Sequence, residues 1–116
     1  MIMTKIEKRK VLWLVGHKPY AEQIRELQAI FNAEVVVDTR HLNSVAEIVE
    51  KMKNIGADEV VVLLPDSWLC DLLKLGIQPV RPKMRRLFTR NRKPVFQHIG
   101  FERVKKFELE VEKLES

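Results

Sequence analysis

The stretch SVAEIVEKMKNIGADEVVVLL, residues 44–64, decides the fold. Ser44 followed by Glu47 is the pairing that opens a helix: the hydroxyl accepts from an amide three residues on, and the carboxylate reaches back. Val45, Ile48, Val49, Met52 and Ile55 then recur in steps of three and four, which places them on one stripe of that helix. Gly56 stands where a left-handed cap ends a helix without steric cost. Glu59–Leu64 is apolar without alternation, the pattern of a strand covered on both faces. A helix, a short turn and a buried strand make half of a crossover unit, and the flanks repeat it.

Toward the amino end, a charged lead-in, Lys8–Lys10, precedes Val11–Val15, a second continuous apolar run of strand length. Gly16-His17-Lys18-Pro19 interrupts it, and Pro19 suits a first helical turn, where its missing N–H needs no partner. The spacing of Tyr20, Ile24, Leu27 and Phe31 predicts a helix from about Pro19 to Phe31. Glu34–Asp38 reads as a strand and Thr39–Asn43 as a loop. On the other flank, Pro65-Asp66-Ser67 stops the strand. Asp66 or Ser67 is expected to cap a helix over Trp68–Leu75, which Gly76 closes. Strand and helix therefore alternate three times with short connections. That predicts a parallel sheet with right-handed crossovers, the first strand lying between the second and third.

The pattern breaks after Gly76. Ile77–Val80 has the length of a short strand, but Pro79, Pro82 and Pro94 exclude a regular central strand across 80–94. Met84, Leu87 and Phe88 fit one face of a helical turn, or else Met84–Phe88 is a hairpin arm turning at Thr89–Lys93. Val95–Phe101 is strand-like, with Gly100 as a bend or bulge. Phe107–Glu112 alternates as a half-buried strand does, although Val104, Phe107, Val111 and Leu114 also fit a heptad. The expected fold is α/β: a small three-layer, Rossmann-like or flavodoxin-like domain. Its parallel β-α-β-α-β-α core is extended by a C-terminal antiparallel ribbon, in one domain over 1–116 with a basic insert at 80–94.

At 116 residues the chain buries enough surface for a real core without staples. One cysteine, Cys70, excludes an intrachain disulfide. With no signal-like start, the expected location is the cytoplasm, and no apolar run reaches membrane-spanning length. Lys and Glu dominate a charged fraction of 32%, against four Asn and four Gln, the bias of proteins from hot environments. Cys70, beside Leu69 and Leu73, reads as a buried free thiol.

Ligands of open parallel sheets bind beyond the carboxyl ends of the strands. The three loops there, Gly16–Pro19, Thr39–Asn43 and Pro65–Ser67, bring His17, Lys18, Thr39, Arg40, His41, Asp66 and Ser67 to one edge. Helices starting at that edge present free N–H groups to an anion. The loops carry no glycine-rich phosphate signature, and polar residues in such loops are often simply solvated. His17 and His41 have the chemistry of an acid, base or ligand near neutral pH. No spacing supports a metal site and no motif implies a cofactor, although Asp38 and Asp66 end adjacent or near-adjacent strands where a divalent cation could sit. Trp68 starts its helix at the same edge, placed to pack there or to stack on a base. His98, in the last ribbon, reads as structural or surface.

The segment 80–94 is the chain's charge anomaly. Arg81, Lys83, Arg85, Arg86, Arg90, Arg92 and Lys93 lie in it without an acid, so the net charge of +5 comes from this segment alone. Arginine grips phosphate with two parallel hydrogen bonds, and Phe88 and Phe96 offer stacking faces. The leading expectation is a nucleic-acid-binding protein that sets these side chains on phosphates. One alternative is a nucleotide-binding sensor or phosphoryl-acting enzyme using the strand-end loops. Another is a homodimeric interaction module without chemistry, joined through the C-terminal ribbon with edge strand Phe107–Glu112 pairing with a second copy; a basic arm docked on the acidic middle of a second copy is a further route to a dimer. The partner is then nucleic acid or another polyanion, or a second copy, and not a membrane.

Overall fold

The computed structural model describes residues 9–88 and 94–106, together with Leu114. Five strands and three helices follow one another: β1 (Arg9–Trp13), α1 (Ala21–Phe31), β2 (Ala33–Val37), α2 (Val45–Ile55), β3 (Glu59–Val61), α3 (Asp66–Lys74), β4 (Val80–Phe88) and β5 (Pro94–Arg103). The sheet runs β2-β1-β3-β4-β5. All pairings are parallel except β4 with β5.

The order dictates where the helices go. From β1 the chain steps outward to β2, then returns across β1 to β3 and on to β4. Right-handed crossovers put the first connection on one face and the next two on the other. The core divides accordingly. Val11, Trp13, Val15, Val61 and Val80 point to the side of Leu27 in α1. Leu12, Leu14, Val60 and Val62 point to the side of Ile48, Leu69 and Leu72 in α2 and α3. Alternate residues of β1 and β3 are thus buried on opposite faces, which is why these strands read as unbroken apolar runs.

The helix ends follow their capping chemistry. Ser44 Oγ accepts from the Glu47 amide at 3.2 Å, and Glu47 Oε2 accepts from the Asn43 amide at 3.0 Å. Gly56 caps α2 at φ 67°. α1 begins two residues later than Pro19 suggests, after an extended Tyr20. α3 starts earlier than expected, and neither Asp66 nor Ser67 caps it. The Pro65 carbonyl accepts from the Trp68 and Leu69 amides, leaving Asp66 in the first turn, where a negative charge suits the helix dipole.

The basic segment is a strand, not a helical turn. Val80 pairs with Val61 on one side and Arg103 on the other. β3 ends at Val61, so from Arg81 onward β4 keeps only β5 beside it. Because β4 runs parallel to β3, the β4–β5 pair continues past the carboxyl edge of the sheet. Pro82 is tolerated for a geometric reason. The Val80 carbonyl accepts from Val62 N–H, so Val80 and, two residues on, Pro82 turn their backbone groups away from β5. The missing amide costs no β4–β5 bond. The register slips between Lys83 and Met84, where Gly100 takes a φ of 149°, open to glycine but not to other residues. Ile99 is the extra residue of this bulge. The segment Phe107–Glu112 lies outside the described residues.

Candidate nucleic-acid interface

The β4–β5 pair carries the described part of the basic segment. The pleat sets Arg81, Lys83, Arg85 and Leu87 on one face and Pro82, Met84 and Arg86 on the other. Arg81 donates to Glu102, its cross-strand neighbour, and is neutralised there. Lys83, Arg85 and Arg86 are exposed, and among the described residues no carboxylate pairs with Lys83 or Arg85. Exposed apolar groups lie between these charges: Phe96 across from Arg86, Val95 across from Leu87, and Ile99 at the bulge. Arg90, Arg92 and Lys93 lie outside the described residues.

The base of this ribbon is anchored to α1. His98 Nε2 lies 2.7 Å from Glu26 Oε2, and Gln23 Nε2 lies 3.3 Å from His98 Nδ1. Gln23 Oε1 accepts from the Tyr20 amide at 2.9 Å, so its amide nitrogen faces the ring. The Phe101 ring packs 4.9 Å from that of His98 and meets Trp13 edge-on. Below them, Arg103 clasps Glu59 with bonds of 2.9 and 3.0 Å and also donates to the Gln78 carbonyl.

The seven residues expected at the strand ends do not form one cluster. His17 turns to the α1 side, its ring near Trp13 and Tyr20 and its carbonyl accepting from Trp13 Nε1 at 2.8 Å. Lys18 is exposed beside it, and Asp66 and Ser67 are exposed on α3. Thr39 and Arg40 border one cavity together with Asp38 and Lys51. Arg40 and His41 border a second, of about 410 Å³, with Gly16, Pro65 and Trp68.

Asp38 is committed to a structural role. It accepts from the Arg40 amide, Nε and Nη2 and from Lys51 Nζ, at 2.8–3.0 Å. The Arg40 guanidinium, and then the Lys51 ammonium, hold its carboxyl well below the usual carboxylate range; in return Asp38 raises the Arg40 guanidinium. Both oxygens of Asp38 are therefore occupied, which removes the cation considered for Asp38 with Asp66. Among the described residues, no three His, Cys, Asp or Glu gather as metal ligands.

Cys70 is half-buried rather than buried, and shares a groove with Lys74, Lys105 and Lys106. Lys51, Gln23 and Glu26 carry no sequence signal for their roles, since each meets a partner distant in the chain. No described helix is long and apolar enough to cross a membrane. No family model, curated protein or solved structure matches this chain.

Proposed function

We propose that the protein binds nucleic acid and uses the β4–β5 ribbon as its reading head. The observation that carries this is the ribbon's position: a two-stranded element beyond the sheet's carboxyl edge, with exposed Lys83 and Arg85 on one face and exposed Arg86 and Phe96 on the other. A two-stranded β-ribbon has the width to enter a major groove. Basic side chains along it neutralise phosphates and release counterions, and Phe96 offers a ring to an unpaired base. Arg90, Arg92 and Lys93 would add three more charges to the same connection. We read the scaffold as a single Rossmann-like domain with an added C-terminal ribbon, which holds the base of that ribbon rigid against α1.

Anisotropy titrations of labelled duplex and single-stranded DNA and RNA test the proposal. Binding should weaken steeply with salt and fall in Lys83→Ala/Arg85→Ala. Absence of binding at low salt, or binding indifferent to that double change, overturns it.

A further inference from the structure

The cavity of about 410 Å³ at the carboxyl edge, bordered by Gly16, Arg40, His41, Asn43, Pro65 and Trp68, is separate from the ribbon and unused by the function proposed above. Its size is that of a small-ligand site. It lies where the strand order reverses at β1, the place at which open α/β sheets bind ligands. Its floor is Leu14 and Leu64, and its wall is the half-buried Trp68, which packs on the α2–α3 side of the core. Its rim carries Arg40 and His41: Arg40 spends Nε and Nη2 on Asp38, keeps Nη1 and also feels the Glu47 carboxylate, and the His41 side chain is exposed. An apolar slot walled by an indole suits a flat ring, and a basic rim suits an anionic arm. We infer that this cavity takes a single nucleotide, its base against Trp68 and its phosphate at Arg40 and His41.

Two sources share that chemistry: a free mononucleotide, and an unpaired nucleotide of a bound strand. The second rests on the nucleic-acid reading. Lys83 and Arg85 lie on the ribbon face that continues the α2–α3 side of the sheet, so a strand held by them passes over the same side as the cavity.

Gly16 allows a clean test. Its φ is not in the left-handed region, and a Cβ built there meets nothing within 4 Å. Gly16→Leu therefore adds bulk at the border of the cavity without straining the backbone. The readout is quenching of Trp68 fluorescence, with Trp13, fully buried, as the constant background and Trp68→Phe as the control. The probes are AMP, adenosine, inorganic phosphate and a single-stranded oligonucleotide. Saturable quenching by AMP, weaker with adenosine, absent with phosphate and reduced about tenfold or more in Gly16→Leu, is the expected result. Quenching by the oligonucleotide alone, also lost in Gly16→Leu, assigns the strand as the source. No quenching by any probe, or quenching unchanged in Gly16→Leu, overturns the site. AMP quenching that persists while anisotropy detects no oligonucleotide binding supports this site and defeats the ribbon's function. Oligonucleotide binding by anisotropy with no Trp68 response does the reverse.

Discussion

Val80 lies beside Val61, and this is the single β3–β4 pair in the register. One step further, β4 has left the sheet behind and carries its cations out with β5 alone. If the ribbon binds nucleic acid as proposed, that geometry sets how the binding depends on salt. Each phosphate contact contributes about 0.9 to the slope of log K against log salt on duplex DNA. Lys83→Ala/Arg85→Ala should reduce the slope by roughly 2 and weaken all sequences alike. Phe96→Ala should spare the slope and weaken single strands more than duplex, by about 1–3 kcal/mol. Titrations at four or five salt concentrations separate the two effects.

Acid should destabilise the protein through Asp38. Its carboxyl is held down by Arg40 and Lys51 in the folded chain and reverts to about 3.9 when unfolded. The unfolded state therefore takes up the proton first as pH falls. Asp38's contribution is complete above about pH 5 and drains away as pH drops through 4 and below. Asp38→Asn should flatten this acid limb. Lys51→Met keeps the apolar stem and removes one charged donor from a site where both side chains are 15% exposed. It should cost about 1–3 kcal/mol near neutral pH, measured by urea denaturation at a series of pH values.

The caps of α2 make a further test. Gly56 sits at φ 67° and ψ 43°, so Gly56→Ala should cost about 1 kcal/mol. Ser44→Ala removes the bond to the Glu47 amide and should cost a similar amount. The two sites lie at opposite ends of an 11-residue helix, so the losses should add within a few tenths of a kcal/mol in the double variant.

These caps also mark how far the sequence could be read. The order of β1, β2 and β3 and the burial of Val11–Val15 follow from local patterns, because a covered strand is apolar throughout and a helix announces its ends. β4 is ambiguous in the sequence because its pattern is set by what it lacks. With β3 gone after Val80, neither apolar continuity nor simple alternation marks Arg81–Phe88 as a strand. The strand-end loops are legible as connections at the carboxyl ends of the strands, but nothing local in the sequence says to which face their side chains turn. His17 falls to the α1 side because Trp13, on an odd position of β1, draws the following turn toward itself with a hydrogen bond. Arg40 and His41 fall to the opposite side. Asp38 reads as available in the sequence because Lys51, which closes its second oxygen, lies thirteen residues away, and no spacing rule covers that distance.

His98 provides the last prediction, because it couples the ribbon to the scaffold. The Tyr20 amide donates to Gln23 Oε1, Gln23 Nε2 donates to His98 Nδ1, and His98 Nε2 donates to Glu26. Gln23 is fully buried, and the His98 side chain is 4% exposed. This sequence of donors fixes the ring as the Nε2–H tautomer. Ring ¹⁵N shifts should therefore show Nδ1 bare and Nε2 protonated at neutral pH. Gln23→Leu has about the right volume but leaves both the Tyr20 amide and His98 Nδ1 without a partner, and should cost about 2–4 kcal/mol. His98→Ala loses the bond to Glu26 and opens a hole beside Phe101 and Met84. Its distinctive effect is positional: with the base of the ribbon loosened from α1, amide exchange should accelerate in 83–86 and 96–101 while 11–15 stays protected. The proposed nucleic-acid binding should weaken in parallel, without a change in salt slope, since the variant removes no proposed phosphate contact. Exchange that accelerates equally in 11–15 would show that His98 supports the whole fold rather than the ribbon's attachment.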